Sequence, residues 1–163
     1  MKILTLFDAD GTLLDTMGSH SQLAASCILK YFGDTGITYD QAREGYRRTI
    51  GTAFPHQLER LFPGEVYAQK RELCAGEYRA RKTAEVYEKA AVFPDVPEGL
   101  RLLQERGVLS LVSTGTERGL IRDVLNREKH GNAVRLDPQL ARPLVRAGRA
   151  GTVLAEVADR IDT

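Results

Sequence analysis

Tryptophan is absent from the 163 residues, and cysteine occurs only at Cys27 and Cys74. The two cysteines are far apart, each inside a helical pattern, with neither metal-ligand nor redox spacing. They read as buried thiols in a reducing compartment, which makes the cytoplasm the expected location. No apolar run approaches the length of a membrane span, and the opening stretch Met1 to Phe7 is stopped by Asp8 too early for a signal-peptide core. Charge of one sign is lacking as well: a formal net charge of +1 with 42% hydrophobic residues describes a soluble globular protein, with no nucleic-acid or membrane partner expected. Aromatic residues stop at Phe93, so everything beyond it must pack with Leu, Val, Ile and Ala, which suits a parallel sheet covered by helices.

Against these absences stands one dense stretch, Leu6-Phe7-Asp8-Ala9-Asp10-Gly11-Thr12-Leu13-Leu14-Asp15. Ile3 to Phe7 is a short buried-strand pattern that ends abruptly in two carboxylates spaced two apart. Side chains two apart on extended backbone project to the same side, so Asp8 and Asp10 can face one point. In an open parallel sheet that point is the ligand crevice beyond the carboxyl ends of the strands. Two carboxylates held close repel, and a hard cation such as Mg²⁺ between them makes the arrangement favourable. Gly11 allows the sharp turn that follows.

From Asp15 to Ala91 the pattern is almost wholly helical. Ser19 or Ser21 is placed to cap a helix carrying Leu23, Cys27, Ile28 and Tyr31, stopped by Gly33. Thr38 and Gln41 form a capping-box pattern opening a helix that Gly51 ends. A third helix is predicted over Phe54 to Phe62, broken by Pro63-Gly64, and a longer one from about Glu65 to the Tyr87 region. Residues 41–82 hold nine Lys or Arg against five Glu, a surplus that could help draw in an anion. Within it, Arg47 and Arg48 lie near the Gly51 turn. The α/β pattern then resumes with Pro97 opening a helix over Glu98 to Arg106, Gly107 ending it, and a strand over Val108 to Val112. Ser113-Thr114-Gly115-Thr116 follows, with Thr116 a cap for the helix Glu117 to Asn126.

The Asp8-x-Asp10-Gly11-Thr12 run resembles the first signature of the haloacid dehalogenase-like (HAD) superfamily, in its phosphatase form. Val112-Ser113-Thr114-Gly115 is similar to the second signature, at the place expected after a helical insert. The resemblance implies an α/β, Rossmann-like parallel sheet core built from residues 1–15 and 92–163, with an inserted α-helical cap over 16–91. By the same resemblance Asp8 is the nucleophile that forms an aspartyl-phosphate, Asp10 is general acid and then base, and Ser113 holds the transferring phosphoryl oxygen. Gly11, Thr12, Thr114 and Gly115 would complete the phosphate cradle, and Asp8 and Asp10 would hold Mg²⁺. The implied substrate is a small phosphorylated metabolite, of the kind taken by phosphoglycolate phosphatase-like or β-phosphoglucomutase-like members. His20 occupies a place where the latter carry a histidine near the hinge.

The match runs to about residue 126. The family's third signature is a lysine well downstream of the second, and Lys129 is the only lysine left in the chain. It comes early, at the end of a helix, where a cation suits the helix terminus. The fourth signature, an acidic pair on another strand, is not visible. Asp159 and Asp162 fall instead on an amphipathic pattern with Val153, Leu154, Val157 and Ile161. The sheet is therefore expected to be incomplete towards the C-terminus, with an exposed β1 edge open to self-association, and Mg²⁺ left to Asp8, the Asp10 carbonyl and water. The expected activity is hydrolysis of small phosphate monoesters; the alternatives are a sugar phosphomutase and a catalytically inactive relative.

Overall fold

The computed structural model describes residues 4–112, 114 and 116–127. In chain order the regular elements are β1 (Leu4–Phe7), β2 (Leu14–Asp15), α1 (Met17–Phe32), α2 (Tyr39–Arg48), α3 (Phe54–Leu61), α4 (Ala68–Lys82), β3 (Ala91–Val92), α5 (Val96–Glu105), β4 (Leu109–Val112) and α6 (Arg118–Arg127). The chain forms two compact units, one from residues 1–15 with 90–163 and the other from residues 16–89. Among the described residues no helix is long and apolar enough to cross a membrane.

The first unit is α/β. β1 and β4 pair in parallel, with Leu4 opposite Leu109, Thr5 opposite Ser110, Leu6 opposite Leu111 and Phe7 opposite Val112. Parallel pairing needs a crossover, and α5 leads into β4 and packs against it. Gly107 makes the exit from α5 possible: it has φ 71°, and its N–H and that of Val108 reach back to the Gln104 and Leu103 carbonyls at 3.0 Å. Pro97 sits in the first turn of α5, where its missing N–H leaves no bond unmade. Leu100, Val112, Ile121, Val124 and Leu125 fill the interior with aliphatic side chains.

β2 and β3 form a second, antiparallel pair, Leu14 opposite Val92 and Asp15 opposite Ala91. The Phe93 N–H extends it with a bond to the Leu13 carbonyl, 3.1 Å. These short strands are the segments by which the chain leaves this unit and returns to it, so Ala91 and Val92 belong with the α/β unit.

In the helical unit α1 packs against both α2 and α4. Its interior is aromatic where the first unit's is aliphatic: Phe32 stacks on Phe62 with ring centroids 3.8 Å apart, and Phe54 lies 4.2 Å from Tyr78. Phe32, Ile28 and Leu58 are fully buried, each worth about 1.5–3 kcal/mol in removal of apolar surface from water. The Thr38–Gln41 capping box forms with both of its bonds, Gln41 N–H to Thr38 Oγ1 at 3.3 Å and Thr38 N–H to Gln41 Oε1 at 2.9 Å.

Two local expectations change. Helix α1 begins at Met17, earlier than a Ser19 or Ser21 cap allows, because the Thr16 carbonyl already accepts the His20 N–H at 2.9 Å. Ser21 lies within the helix and donates its hydroxyl to the Gly18 carbonyl. The predicted long fourth helix starts as a short 3-10 turn over Glu65–Tyr67 and closes as a π-helical segment over Thr83–Tyr87.

Candidate active site

The site is built where β1 ends. Asp8 is exposed, Ala9 is fully buried and Asp10 is half-buried, the alternation extended backbone imposes when its middle residue points into the core. After Asp10 the chain doubles back through Gly11, whose φ of 77° an L side chain rarely adopts. The Ala9 carbonyl receives the N–H groups of Thr12, Leu13 and Leu14 at 2.9–3.3 Å, and Gly11 N–H reaches the Leu14 carbonyl at 2.9 Å. Leu13 and Leu14 are thereby drawn into the interior, and the two aspartates are held at either side of the anchored residue. Gly11 and Thr12 remain exposed on the turn.

β4 brings the second loop to the same end. Because Phe7 and Val112 are in register, β1 and β4 end side by side, next to Asp8. Ser113, Gly115 and Lys129, like Asp159 and Asp162, lie outside the described residues. Thr114 is half-buried, and its Oγ1 accepts the Thr116 N–H at 3.1 Å. Thr116, expected as a helix cap, turns its hydroxyl the other way: Oγ1 donates to Asp10 Oδ2 at 2.7 Å.

Although Asp8 is exposed, protein atoms packed around its carboxyl partly desolvate it and raise its pKa from the ordinary carboxylate value. The Ala9 N–H, 2.8 Å from Asp8 Oδ1, opposes that shift, and repulsion from Asp10 adds to it. The donor set of this pair suits Mg²⁺, a hard ion that keeps several waters and takes one or two carboxylates together with phosphate oxygens. Among the described residues no cluster of three or more His, Cys, Asp or Glu side chains forms a fuller metal cage.

The other two sequence candidates lie in the helical unit. His20 is buried, neither exposed nor presented to solvent; its Nδ1 is 2.7 Å from the Tyr78 hydroxyl and its Nε2 3.3 Å from that of Tyr87. Tyrosines from α4 and from the segment after it match both polar atoms of the ring, which is why this histidine can sit inside a helix bundle. Arg47 is exposed in the last turn of α2, whereas Arg48 pairs with Glu44 at 3.0 Å.

A parallel strand pair whose first strand ends in two aspartates, in a chain interrupted by a helical unit, is an α/β fold with a helical insert. Residues 4–141 match the family described as haloacid dehalogenase-like hydrolase, and the chain belongs to that family. Probable phosphatase IndB of Dickeya dadantii (strain 3937) is 30% identical over 116 residues, 70% of this chain and 48% of the relative. The chain thus spans about half the length of the curated relative it matches. Among solved structures, a protein described as a haloacid dehalogenase-like hydrolase from Bacteroides fragilis superimposes with TM-score 0.67 at 24% identity, over 83% of this chain and 62% of that one. One described as a phosphatase from Clostridium difficile gives TM-score 0.64 at 18% identity, over 99% and 71%. One described as a phosphoglycolate phosphatase from haemophilus somnus 129pt gives 0.61 at 16%, over 83% and 61%. These likenesses establish the fold.

Proposed function

We propose that the protein is a Mg²⁺-dependent phosphatase of small phosphate monoesters, acting through an aspartyl-phosphate on Asp8. The observation that carries this reading is the Asp8–Ala9–Asp10 turn, in which two aspartates flank a fully buried residue at the end of β1. In the first step an Asp8 carboxylate oxygen attacks phosphorus, the bond to the ester oxygen breaks, and Asp10 in its acid form protonates the departing alkoxide. In the second, Asp10 as carboxylate takes a proton from water, whose oxygen attacks phosphorus and releases Asp8 and inorganic phosphate. Ser113, with Thr114, Gly115, Gly11 and Thr12, is assigned to the phosphoryl oxygens. Held by Asp8 and Asp10, Mg²⁺ would supply positive charge against the carboxylate–phosphate repulsion.

Residues 16–89 are assigned the role of cap, with the exposed Arg47 as its candidate anion contact. The free, buried cysteines suit a reducing compartment and support a cytoplasmic location. Self-association along an edge of β1 is to be read by sedimentation.

The test is hydrolysis of p-nitrophenyl phosphate and a panel of small phosphate esters with Mg²⁺ and with EDTA, beside Asp8→Asn. Metal-dependent turnover that Asp8→Asn abolishes is the expected result. Transfer of the phosphoryl group back to a sugar would make the protein a phosphomutase. No turnover from folded protein would make it an inactive relative that keeps the first two signatures.

A further inference from the structure

The bond between Thr116 and Asp10 joins two loops separated by 106 residues of sequence. Asp10 comes from the turn after β1 and Thr116 from the entry to α6, so this contact adds a side-chain link to the β1–β4 pairing. At 2.7 Å it is a short hydroxyl-to-carboxylate bond, and an ionised carboxylate can only accept, so Thr116 is the donor. Thr116 is itself held: its N–H donates to Thr114 Oγ1 at 3.1 Å, and its branched Cβ restricts the side chain to few rotamers. The last torsion of an Asp side chain is broad, and the Thr116 bond to Oδ2 narrows it.

We infer that Thr116 is the positioning residue for Asp10, orienting its carboxylate for proton transfer by holding Oδ2. The inference rests on the reading of Asp10 as acid and base given above. In this role Thr116 acts through the geometry of Asp10, whose Oδ2 its hydroxyl meets. Proton transfer needs the acid within hydrogen-bond reach of the ester oxygen. Misalignment should therefore penalise esters whose leaving group must be protonated, and spare those whose leaving group departs as a stable anion.

The experiment compares wild type, Thr116→Val, Thr116→Ser and Asp10→Asn on an alkyl phosphate and on p-nitrophenyl phosphate, with Mg²⁺ present. Thr116→Val keeps the shape and removes the donor. It is expected to lower kcat/KM, which reports the steps up to the aspartyl-phosphate, by about tenfold to a hundredfold on the alkyl phosphate, with a much smaller loss of kcat/KM on p-nitrophenyl phosphate. Thr116→Ser should restore the wild-type ratio of the two rates. That ratio is measured within each sample, so a smaller folded fraction does not alter it.

Equal losses of kcat/KM on both esters, a Thr116→Val enzyme indistinguishable from wild type, or a Thr116→Ser enzyme that behaves like Thr116→Val would overturn the inference while Asp10→Asn remains inactive. Undiminished turnover by Asp10→Asn, or none by wild type, would overturn the acid–base reading and the role of Thr116 with it.

Discussion

The Tyr78 hydroxyl stands between two buried partners, 2.7 Å from His20 Nδ1 and 3.3 Å from the Tyr46 hydroxyl. It links α1, α2 and α4 through polar atoms in an interior that is largely apolar and aromatic. Replacing Tyr78 by Phe keeps the ring against Phe54 and removes one partner from both His20 and Tyr46. Buried polar groups that lose a partner cost about 1–3 kcal/mol. Urea denaturation of Tyr78→Phe is expected to show a loss of that size, and an unchanged midpoint would mean the network contributes nothing to stability.

Glu77 on α4 ties the same helices from outside. Its carboxylate accepts from Lys30 and Tyr31 of α1 and from Arg81 one turn along, and these bonds, Lys30 first, hold its pKa down to about 2 against an ordinary 4.5. Within that window the unfolded state binds more protons, so stability rises with pH. The contribution is full above about pH 4.5 and lost as pH falls towards 2. Glu77→Gln should be less stable at neutral pH and should lose part of the acid dependence that wild type shows. Parallel acid profiles for the two proteins would contradict this linkage.

Cys27 and Cys74 are free and fully buried. Burial raises both thiols, Cys74 to about 12, so thiolate is scarce at any ordinary pH. A thiol-reactive dye at pH 8 should label the folded protein more than about a hundredfold slower than the unfolded chain. Prompt labelling of the native protein would show that these helices open readily.

What could be read from the residues alone was local. Thr38 and Gln41 are three apart and close their capping box on each other, and Gly107 ends α5 with bonds to carbonyls within five residues. The end of β1 was legible because an apolar run meeting Asp-Ala-Asp-Gly has few other conformations. The missed features depend on partners far along the chain. β2 and β3 are too short to carry a period and exist because Leu14 meets Val92. His20 is buried because Tyr78 and Tyr87, 58 and 67 residues away, supply its hydrogen bonds. Thr116 looked like a cap because its neighbours are those of a helix start, while Asp10 is what its hydroxyl meets.

The last prediction concerns the cost of keeping two carboxylates together. Burial and the neighbouring Asp10 both disfavour the ionised form of Asp8, and only the Ala9 N–H favours it, so at neutral pH the charge on Asp8 works against the folded state. Asp8→Asn removes that charge, and the amide oxygen can still accept from Ala9. In the absence of divalent cations the variant is expected to melt at a higher temperature than wild type, even though the proposed nucleophile is gone. Mg²⁺ should then raise the wild-type Tm and shift the variant less, because an ion that binds the folded carboxylate pair stabilises it by mass action. A lower Tm for Asp8→Asn without metal would show that the carboxylate stabilises the turn. An equal Mg²⁺ shift in both proteins would show that the ion binds without Asp8.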